Sequence, residues 1–509
     1  MPRRLFTAFL LCLTAAPAFA QSPLTDQIAT LLAAPTVSRA HWGIEVAAPD
    51  GTPLYTLNEA QYFQPASNAK LFTTAAALAL LGPASTVTTR VQAEGTITDT
   101  TLHGDLVLLG AADANLSARP IPYTSAHTPN PTPPLHILDD LADQVAATGL
   151  KEITGNLYGD DTLFPAQPFA SDWSIDDMVW GYGAPISALT ITDNQLKLTI
   201  TPSAPNTPAT FTLSPATPYY LIENTILTTA PKTRTSIGID RAPGSNTLRL
   251  FGTIAADAPP DAEEIAIADP TTYAALYLKS ALESRGITLH GSALPRHLVL
   301  DNPTGFYEQS TKPIPTFTPA PAFQPTGTTL ATHVSPTLAE DVTVTNKVSQ
   351  NLHAELFLHR LAATYGANGS TEQGVRVVRQ FLLNAGLDKD DFVFFDGSGL
   401  SGHDLVTPRS IIQLLAFAST QPWFPPYKAS LPIAGVDGSL EHRFTQPPVL
   451  AHLSAKTGTL GEARALSGYL QCASGRTVLI SILVSTHTPS SSADRTTMDK
   501  IVEAIAAAE

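Results

Sequence analysis

The chain is poor in cysteine, with 2 in 509 residues, and poor in charge, with 14% Asp, Glu, Lys and Arg against the roughly 25% usual for soluble domains. Cys12 falls in a leader segment considered below, which leaves Cys472 alone in the mature chain. A lone cysteine excludes an intramolecular disulfide and any cysteine-built zinc site. Positive charge is the scarcer sign, 29 Lys and Arg against 44 Asp and Glu, for a net charge of −15, and it forms no runs. Such a chain lacks the electrostatic footprint that phosphate backbones select, so nucleic acid is not an expected partner, nor are anionic headgroups. Past the leader no stretch reaches the ~18 continuous apolar residues of a bilayer crossing, and no stable membrane span is expected. Hydrophobic residues, at 43%, are enough for a sizeable core and exclude wholesale disorder. The length fits roughly two to four domains.

The first twenty residues read as a targeting segment. Arg3 and Arg4 supply the positive region, Leu5 to Leu13 the short apolar region, and Ala18-Phe19-Ala20 a small-x-small cleavage site. Maturation is expected before Gln21. Cys12 follows Phe9-Leu10-Leu11 rather than the small residues of a lipidation box, so a lipid anchor is not expected.

Alternation in Trp42–Ala48 and Leu54–Leu57 around Asp50-Gly51 predicts a hairpin. The apolar run Leu71–Leu80, between Pro65 and Gly82-Pro83, predicts a helix. From about 84 to 300, short Thr/Val/Leu segments between turn residues predict mostly β structure, interrupted by Pro-rich stretches at Arg119–Pro134 and Asn302–Thr326. Helical spacing returns in Asn346–Tyr365 and Glu372–Ala385. Strands are expected at His452–Thr459, Ala465–Cys472 and Arg476–Ser485, with a last helix at about 492–508. Helical ends around a β-rich middle point to one domain split by a long insertion.

Three short patterns carry chemistry. Ser67-Asn68-Ala69-Lys70 opens the first helix, where positions i and i+3 share a face, so the hydroxyl and amine come within reach of each other. Such a lysine acts as a base only when neutral, which requires burial or a second cation to bring it down from about 10.4. Lys456 of Lys456-Thr457-Gly458, on an expected strand, is a candidate second cation, and the small Gly458 would let a ligand backbone approach the strand edge. Between them, Ser349-Gln350-Asn351 offers a hydroxyl for proton relay and an amide for a peptide bond. Each pattern alone is common on surfaces; their joint occurrence in this order is not. His353 and His359 flank Glu355 with a spacing of six rather than the four of H-E-x-x-H, so no metal site is expected there. Asp160-Asp161 reads as a turn after a strand.

The ordered S-x-x-K, S-x-N and K-T-G motifs resemble those of the penicillin-recognising serine acyltransferases. Ser67 and Ser349 are 349 − 67 = 282 residues apart, an interval that is similar to the D-alanyl-D-alanine carboxypeptidase/endopeptidase family, the low-molecular-mass class C penicillin-binding proteins. Gly155–Asp161, Gly183–Leu189, Asp396–Ser401 and Leu431–Gly438 resemble the same family. The resemblance implies a multidomain α/β protein. Its catalytic domain would be an α/β/α, β-lactamase-like transpeptidase fold from residues 21–90 and 328–509. Inserted domain II would come from 91–190 and 250–327, and a β-rich domain III from 191–249.

The resemblance also implies roles. Ser67 would attack the penultimate D-Ala carbonyl of a peptidoglycan stem peptide, Lys70 take its proton, and Ser349 pass a proton to the departing amine. Asn351 would orient the substrate amide, and Lys456, Thr457, Gly458 and Thr459 would line the binding strand. Two oxyanion donors, the Ser67 and Thr459 N–H groups, complete the implied machinery. β-Lactams would be covalent inhibitors, no cofactor or metal is implied, and the family favours the periplasm. Trp173 and Asp176 match positions lining the pocket for the stem-peptide side chain, though an aromatic under a loop and a turn carboxylate fit them equally. Where relatives carry Arg after Asp-Gly-Ser-Gly-Leu-Ser, this chain has Gly402 and His403, neither of which can bind a carboxylate bidentately. A β-lactamase with rapid deacylation and a peptidoglycan-binding protein without turnover are the competing readings.

Overall fold

The computed structural model describes residues 23–117, 119–125, 132–300, 305–321, 326–489 and 491–509. The expected leader, residues 1–20, lies outside them. A five-stranded antiparallel sheet is assembled from both ends of the chain: β1 (His41–Ala47), β2 (Pro53–Leu57), β3 (Leu453–Leu460), β4 (Ala463–Gln471) and β5 (Thr477–Ser485) lie in the order β3-β4-β5-β1-β2. The β5 sequence TVLISILVS is almost continuously apolar because both faces are covered. Val478, Ile480, Ile482 and Val484 enter the core beneath helices α1 (Pro23–Leu32) and α7 (Ala493–Ala508). Leu479 and Leu483 enter the opposite core, built with α2 (Ala69–Leu81), α4 (Asn351–Tyr365), α5 (Thr371–Asn384) and α6 (Pro408–Ser419). Helix α3 (Leu338–Lys347) joins that second core through Leu338 and Val342. This is an α/β/α sandwich.

Helix α2 is buried on every side from Ala69 to Leu78, which explains a sequence of small and apolar residues with no polar stripe. Its first turn meets β3 and β4, where Asn68 Nδ2 donates to Ser467 Oγ at 2.8 Å. The helical stretch expected from Asn346 to Tyr365 is broken. Helix α3 ends at Lys347, Ser349 adopts φ 61°, and α4 restarts at Asn351 with Gln350 capping the Leu352 N–H. Periodicity hides this break because Val348 continues the apolar spacing while the backbone turns left-handed at the next residue.

The insertion between α2 and α3 carries three further sheets. One is a seven-stranded sheet in which Thr88–Thr98, Thr101–Leu109 and Thr328–Val334 are neighbours. Strand pairing therefore puts Thr328–Val334 in the inserted sheet, whereas the sequence reading grouped it with the catalytic domain. Smaller sheets use Gln195–Thr201, Thr210–Ser214 and Asp261–Ala266, and Leu221–Asn224, Leu227–Thr229, Ser236–Asp240 and Thr247–Ala255. Two helices interrupt the β-rich span, His136–Ala147 and Pro270–Glu283. Neither was expected from the sequence; the second starts where Asp269 caps the Thr271 and Thr272 N–H groups ahead of Pro270 at the first helical position. Asp160 and Asp161 correct the expected turn: they lie inside the strand Leu157–Pro165, Asp160 facing Arg296 and Asp161 facing His297, Ser187 and Thr271. Separate hydrogen-bonding partners for two buried carboxylates, rather than chain reversal, account for the pair. Among the described residues no helix is long and apolar enough to cross a membrane.

Phe357 on α4 is fully buried in the core beneath α2. Phe357→Ala is expected to destabilise the sandwich by about 3–5 kcal/mol, read as a lower urea midpoint with an unchanged slope.

Candidate active site

The N-terminus of α2, the break between α3 and α4, and the edge strand β3 converge on one cleft. Ser67 lies in a single 3-10 turn, Ala66–Asn68, directly ahead of α2, and Ala66 holds φ 46°, a region a residue with a Cβ seldom occupies. One turn later Lys70 points back along the helix. Its Nζ donates to Ser67 Oγ at 3.0 Å, to Asn351 Oδ1 at 2.6 Å and to the Ser398 carbonyl at 2.7 Å. Across the cleft Lys456 Nζ donates to Ser349 Oγ at 2.8 Å and to the Thr457 carbonyl at 2.9 Å. The three motifs, far apart in the chain, thus form two lysine–serine pairs joined through the Ser349–Asn351 turn.

Both amines are 0% exposed. Burial lowers Lys70 to about 8, while the carboxyl groups of Asp396, Glu355 and Asp404 pull it the other way. Lys456 is held well below the usual lysine range, by burial first and by the charge of Lys70 second. The expected help of a second cation is not what lowers Lys70: burial does so alone, and the charge acts only in the other direction, from Lys70 on Lys456. At neutral pH a fraction on the order of one tenth of Lys70 is the neutral amine, with its lone pair available to the Ser67 hydroxyl.

Strand β3 ends the sheet, but its first half is covered: the Ala434 N–H donates to the Leu453 carbonyl at 2.9 Å and the Ala455 N–H to the Pro432 carbonyl at 3.0 Å, so an extended ligand could pair only with the stretch beyond Lys456. Gly458 serves a different purpose from the one expected. A Cβ there would lie 2.7 Å from the Pro65 carbonyl oxygen and 3.1 Å from Ala66 Cβ, so its smallness seats β3 against the Ser67 turn instead of clearing room for a ligand. Thr457 Oγ1 lies 2.6 Å from Ser439 Oγ, and Thr459 is exposed beside Arg464.

The inserted region supplies the opposite wall. Asn351 Nδ2 donates to the Tyr182 carbonyl at 2.8 Å, fixing the amide so that its oxygen faces Lys70. Trp173 is 7% exposed and donates from its indole N–H to Asp396 Oδ2 at 2.9 Å, while Asp176 is exposed in the first turn of a short 3-10 segment and touches none of the motif residues. The structure thus brings Ser67, Lys70, Ser349, Asn351 and Lys456 together and leaves Asp176 on the rim. At Gly402 no side chain replaces the arginine; a Cβ there would lie 2.8 Å from Asp172 Oδ2, and His403 Nδ1 lies 3.6 Å from the same atom.

Several contributors were not singled out in the sequence. Lys347 Nζ holds both oxygens of Asp437, at 2.7 and 2.6 Å, and so fastens the 431–438 loop carrying Ser439 to the residue two positions before Ser349. The available signal was an unpaired Lys347 next to the S-x-N motif. The carbonyls of Tyr182 and Ser398 leave no mark in a sequence, because every residue has one.

A half-buried serine hydroxyl hydrogen-bonded to a buried lysine with a depressed pKa, opposite a second buried lysine on an edge strand, is an arrangement suited to acyl transfer by a serine hydrolase. The chain is matched over residues 24–314 and 319–507 by the family described as D-Ala-D-Ala carboxypeptidase 3 (S13), and it belongs to that family. By that membership it is a serine-type D-Ala-D-Ala carboxypeptidase. It is 32% identical over 459 residues to a D-alanyl-D-alanine carboxypeptidase of Actinomadura sp. (strain R39), covering 88% of this chain and 78% of that one. It is 24% identical over 431 residues to the D-alanyl-D-alanine carboxypeptidase DacB of Haemophilus influenzae, covering 83% and 80%. The crystal structure of penicillin binding protein 4 from Haemophilus influenzae superposes with a TM-score of 0.77 at 21% identity, covering 94% of this chain and 98% of that chain, so the fold is shared from end to end.

Two outcomes follow from this geometry. The rate of Ser67 acylation is expected to rise with pH through a limb near 8 as Lys70 loses its proton, measured as the second-order rate with a β-lactam across pH. Gly458→Val forces β3 away from the Ser67 turn and is expected to lower that rate about a hundredfold or more.

Proposed function

We propose that the enzyme hydrolyses the terminal D-Ala-D-Ala bond of peptidoglycan stem peptides through an acyl-enzyme on Ser67, and that the same nucleophile opens D-Ala cross-links as an endopeptidase. The observation that carries this reading is the Lys70 amine shared between Ser67 Oγ and Asn351 Oδ1. Neutral Lys70 accepts the Ser67 proton as Oγ attacks the carbonyl of the penultimate D-Ala. The negative oxygen forms between the N–H groups of Ser67 and Thr459, and one such donor contributes about 3 kcal/mol to lowering the barrier. Ser349, held by Lys456, relays to the departing D-Ala nitrogen the proton that Lys70 took from Ser67, and the C–N bond breaks. Water then attacks the ester and releases the shortened peptide and the Ser67 hydroxyl.

The terminal carboxylate of the substrate would meet Lys456 and the hydroxyls of Thr457 and Ser439. The buried Lys456 amine, with only Ser349 Oγ and the Thr457 carbonyl as acceptors, supports this, because an arriving carboxylate would supply the missing partner and favour the charged form of the amine. Trp173 would pack the stem-peptide side chain, and Asp176 would meet its charged end from the rim. A β-lactam presents the same carboxylate and amide, acylates Ser67 by ring opening, and keeps its leaving nitrogen tethered, which makes deacylation slow. The expected N-terminal leader would carry this chemistry out of the cytoplasm, and we assign it to the periplasm.

Intact-protein mass spectrometry after brief incubation with penicillin, together with release of D-Ala from a pentapeptide, tests the reading in wild type and Ser67→Ala. A persistent single adduct and D-Ala release, both lost in the mutant, are expected. Fast decay of the adduct with drug turnover would make the enzyme a β-lactamase, and D-Ala release undiminished in Ser67→Ala would reject the mechanism.

A further inference from the structure

Behind Lys70 lie three buried carboxyl side chains that the acylation chemistry leaves unused: Asp396, Asp404 and Glu355. They are not equivalent. Asp396 accepts from five donors: the Ser398 N–H at 3.1 Å and Gly399 N–H at 2.6 Å on Oδ1, and the Ser401 N–H at 2.7 Å, Ser398 Oγ at 3.2 Å and Trp173 indole N–H at 2.9 Å on Oδ2. So many converging donors make Asp396 the hydrogen-bonding hub of the cluster. Asp404 is its opposite. Its Oδ1 accepts the Phe395 N–H at 2.6 Å, while Oδ2 is buried with no hydrogen-bond partner among the described residues. Burial, followed by the charge of Asp396, holds this carboxyl well above the usual range. A proton on Oδ2 turns the orphaned atom into a donor toward Asp396. Glu355 has both oxygens 3.0 Å from the Gly397 N–H and is pushed up to about 8, again by burial and then by Asp396.

The loop these groups hold reaches the reacting lysine. Ser398, bound to Asp396 through its N–H and hydroxyl, gives its carbonyl to Lys70; Gly397, bound to Glu355, gives its carbonyl to Thr73 Oγ1 at 2.8 Å on the next turn of α2. Gly399 has φ 80°, and a Cβ there would lie 1.8 Å from the Ala66 carbonyl oxygen, so the loop cannot slide past the Ser67 turn. On its other side Trp173 packs with Ile186 and Leu400, and with Leu460 at the end of β3.

The geometry points to Asp396, backed by a protonated Asp404, as a positioning residue that ties the Trp173 rim of the cleft to the Ser398 carbonyl holding the Lys70 amine. Rim and base are then one mechanical unit, so filling the rim with a stem-peptide side chain orients the base. This rests on the reading of Lys70 as the base for Ser67. The charged and titratable groups facing the Lys70 amine are Asp396 and Asp404 from the loop, Glu355 from α4 and Lys456 from β3; those facing Asp404 are Asp396 and Glu355.

The test uses 6-aminopenicillanic acid, which has no acyl side chain to touch the rim, and measures its second-order rate of acylation of the full enzyme across pH, with Ser67→Ala as the control. Asp396→Asn removes the Asp396 charge that raises Lys70, so the acid limb of the profile is expected about one pH unit lower, with a slower plateau. Asp404→Asn, whose amide can donate to Asp396 as the carboxylic O–H does, is expected within about threefold of wild type, and Asp404→Leu about tenfold slower. Trp173→Phe keeps the ring and loses only the donor; it is expected to slow this rimless probe about threefold or more while the melting temperature stays near wild type. An unmoved limb in Asp396→Asn, equal damage from Asp404→Asn and Asp404→Leu, or an unaffected rate in Trp173→Phe would each overturn the inference. An adduct persisting in Ser67→Ala would instead overturn the acyl-enzyme reading beneath it.

Discussion

The architecture depends on keeping two lysine amines out of water. Removing an ammonium from solvent costs several kcal/mol, and a fold tolerates it only where fixed acceptors replace the lost hydration. Lys70 receives three such acceptors from three different parts of the chain, namely Ser67 on its own helix, Asn351 at the start of α4 and the Ser398 carbonyl. Lys456 receives Ser349 and its own strand's Thr457 carbonyl. The surrounding helices and sheet must hold these acceptors to within a few tenths of an ångström, because a longer contact would return the cost of burial without returning its effect on basicity.

That requirement explains where the backbone is strained. Ala66 and Ser349, both with side chains and both at positive φ, stand at the two points where the chain must turn sharply to aim a hydroxyl at a lysine. Such conformations cost about 1–3 kcal/mol each and persist only where neighbours over-determine them. The neighbours are identifiable. Lys347 and Asp437 brace the turn at Ser349, and Gly458 and Gly399 press β3 and the 396–401 loop onto the turn at Ala66 with no room for a Cβ.

The insertion is part of the site rather than an appendage. Tyr182 orients Asn351, Trp173 reaches Asp396, and Asp193, held by Arg119, meets His353 at 2.9 Å from the inserted side of the interface. Buried polar contacts of this kind contribute little net stability, since desolvation offsets them, but a misaligned arrangement leaves charges unpaired. They therefore set the position of the inserted wall relative to the cleft more strictly than an apolar interface would. The carboxyl groups around Lys70 work in the same way: Asp396 gathers five donors, and burial raises Glu355 and Asp404 above the usual carboxylate range.

Much of this was legible in the order of residues. The S-x-x-K spacing alone put Ser67 and Lys70 within reach of each other, the apolar run Leu71–Leu80 announced a helix, and Arg476–Ser485 announced a strand. Local periodicity is a short-range property, so it survives in the sequence. The break at Ser349 did not, because its cause is the Lys347–Asp437 pair, 90 residues apart. Nor did the reason for Gly458, which is the approach of a loop nearly 400 residues earlier in the chain. The sequence by itself determined the chemical groups and the elements that carry them. Only the tertiary structure decided which lysine is neutral enough to act and which carboxyl keeps its proton, since both depend on burial and on neighbours that no local pattern encodes.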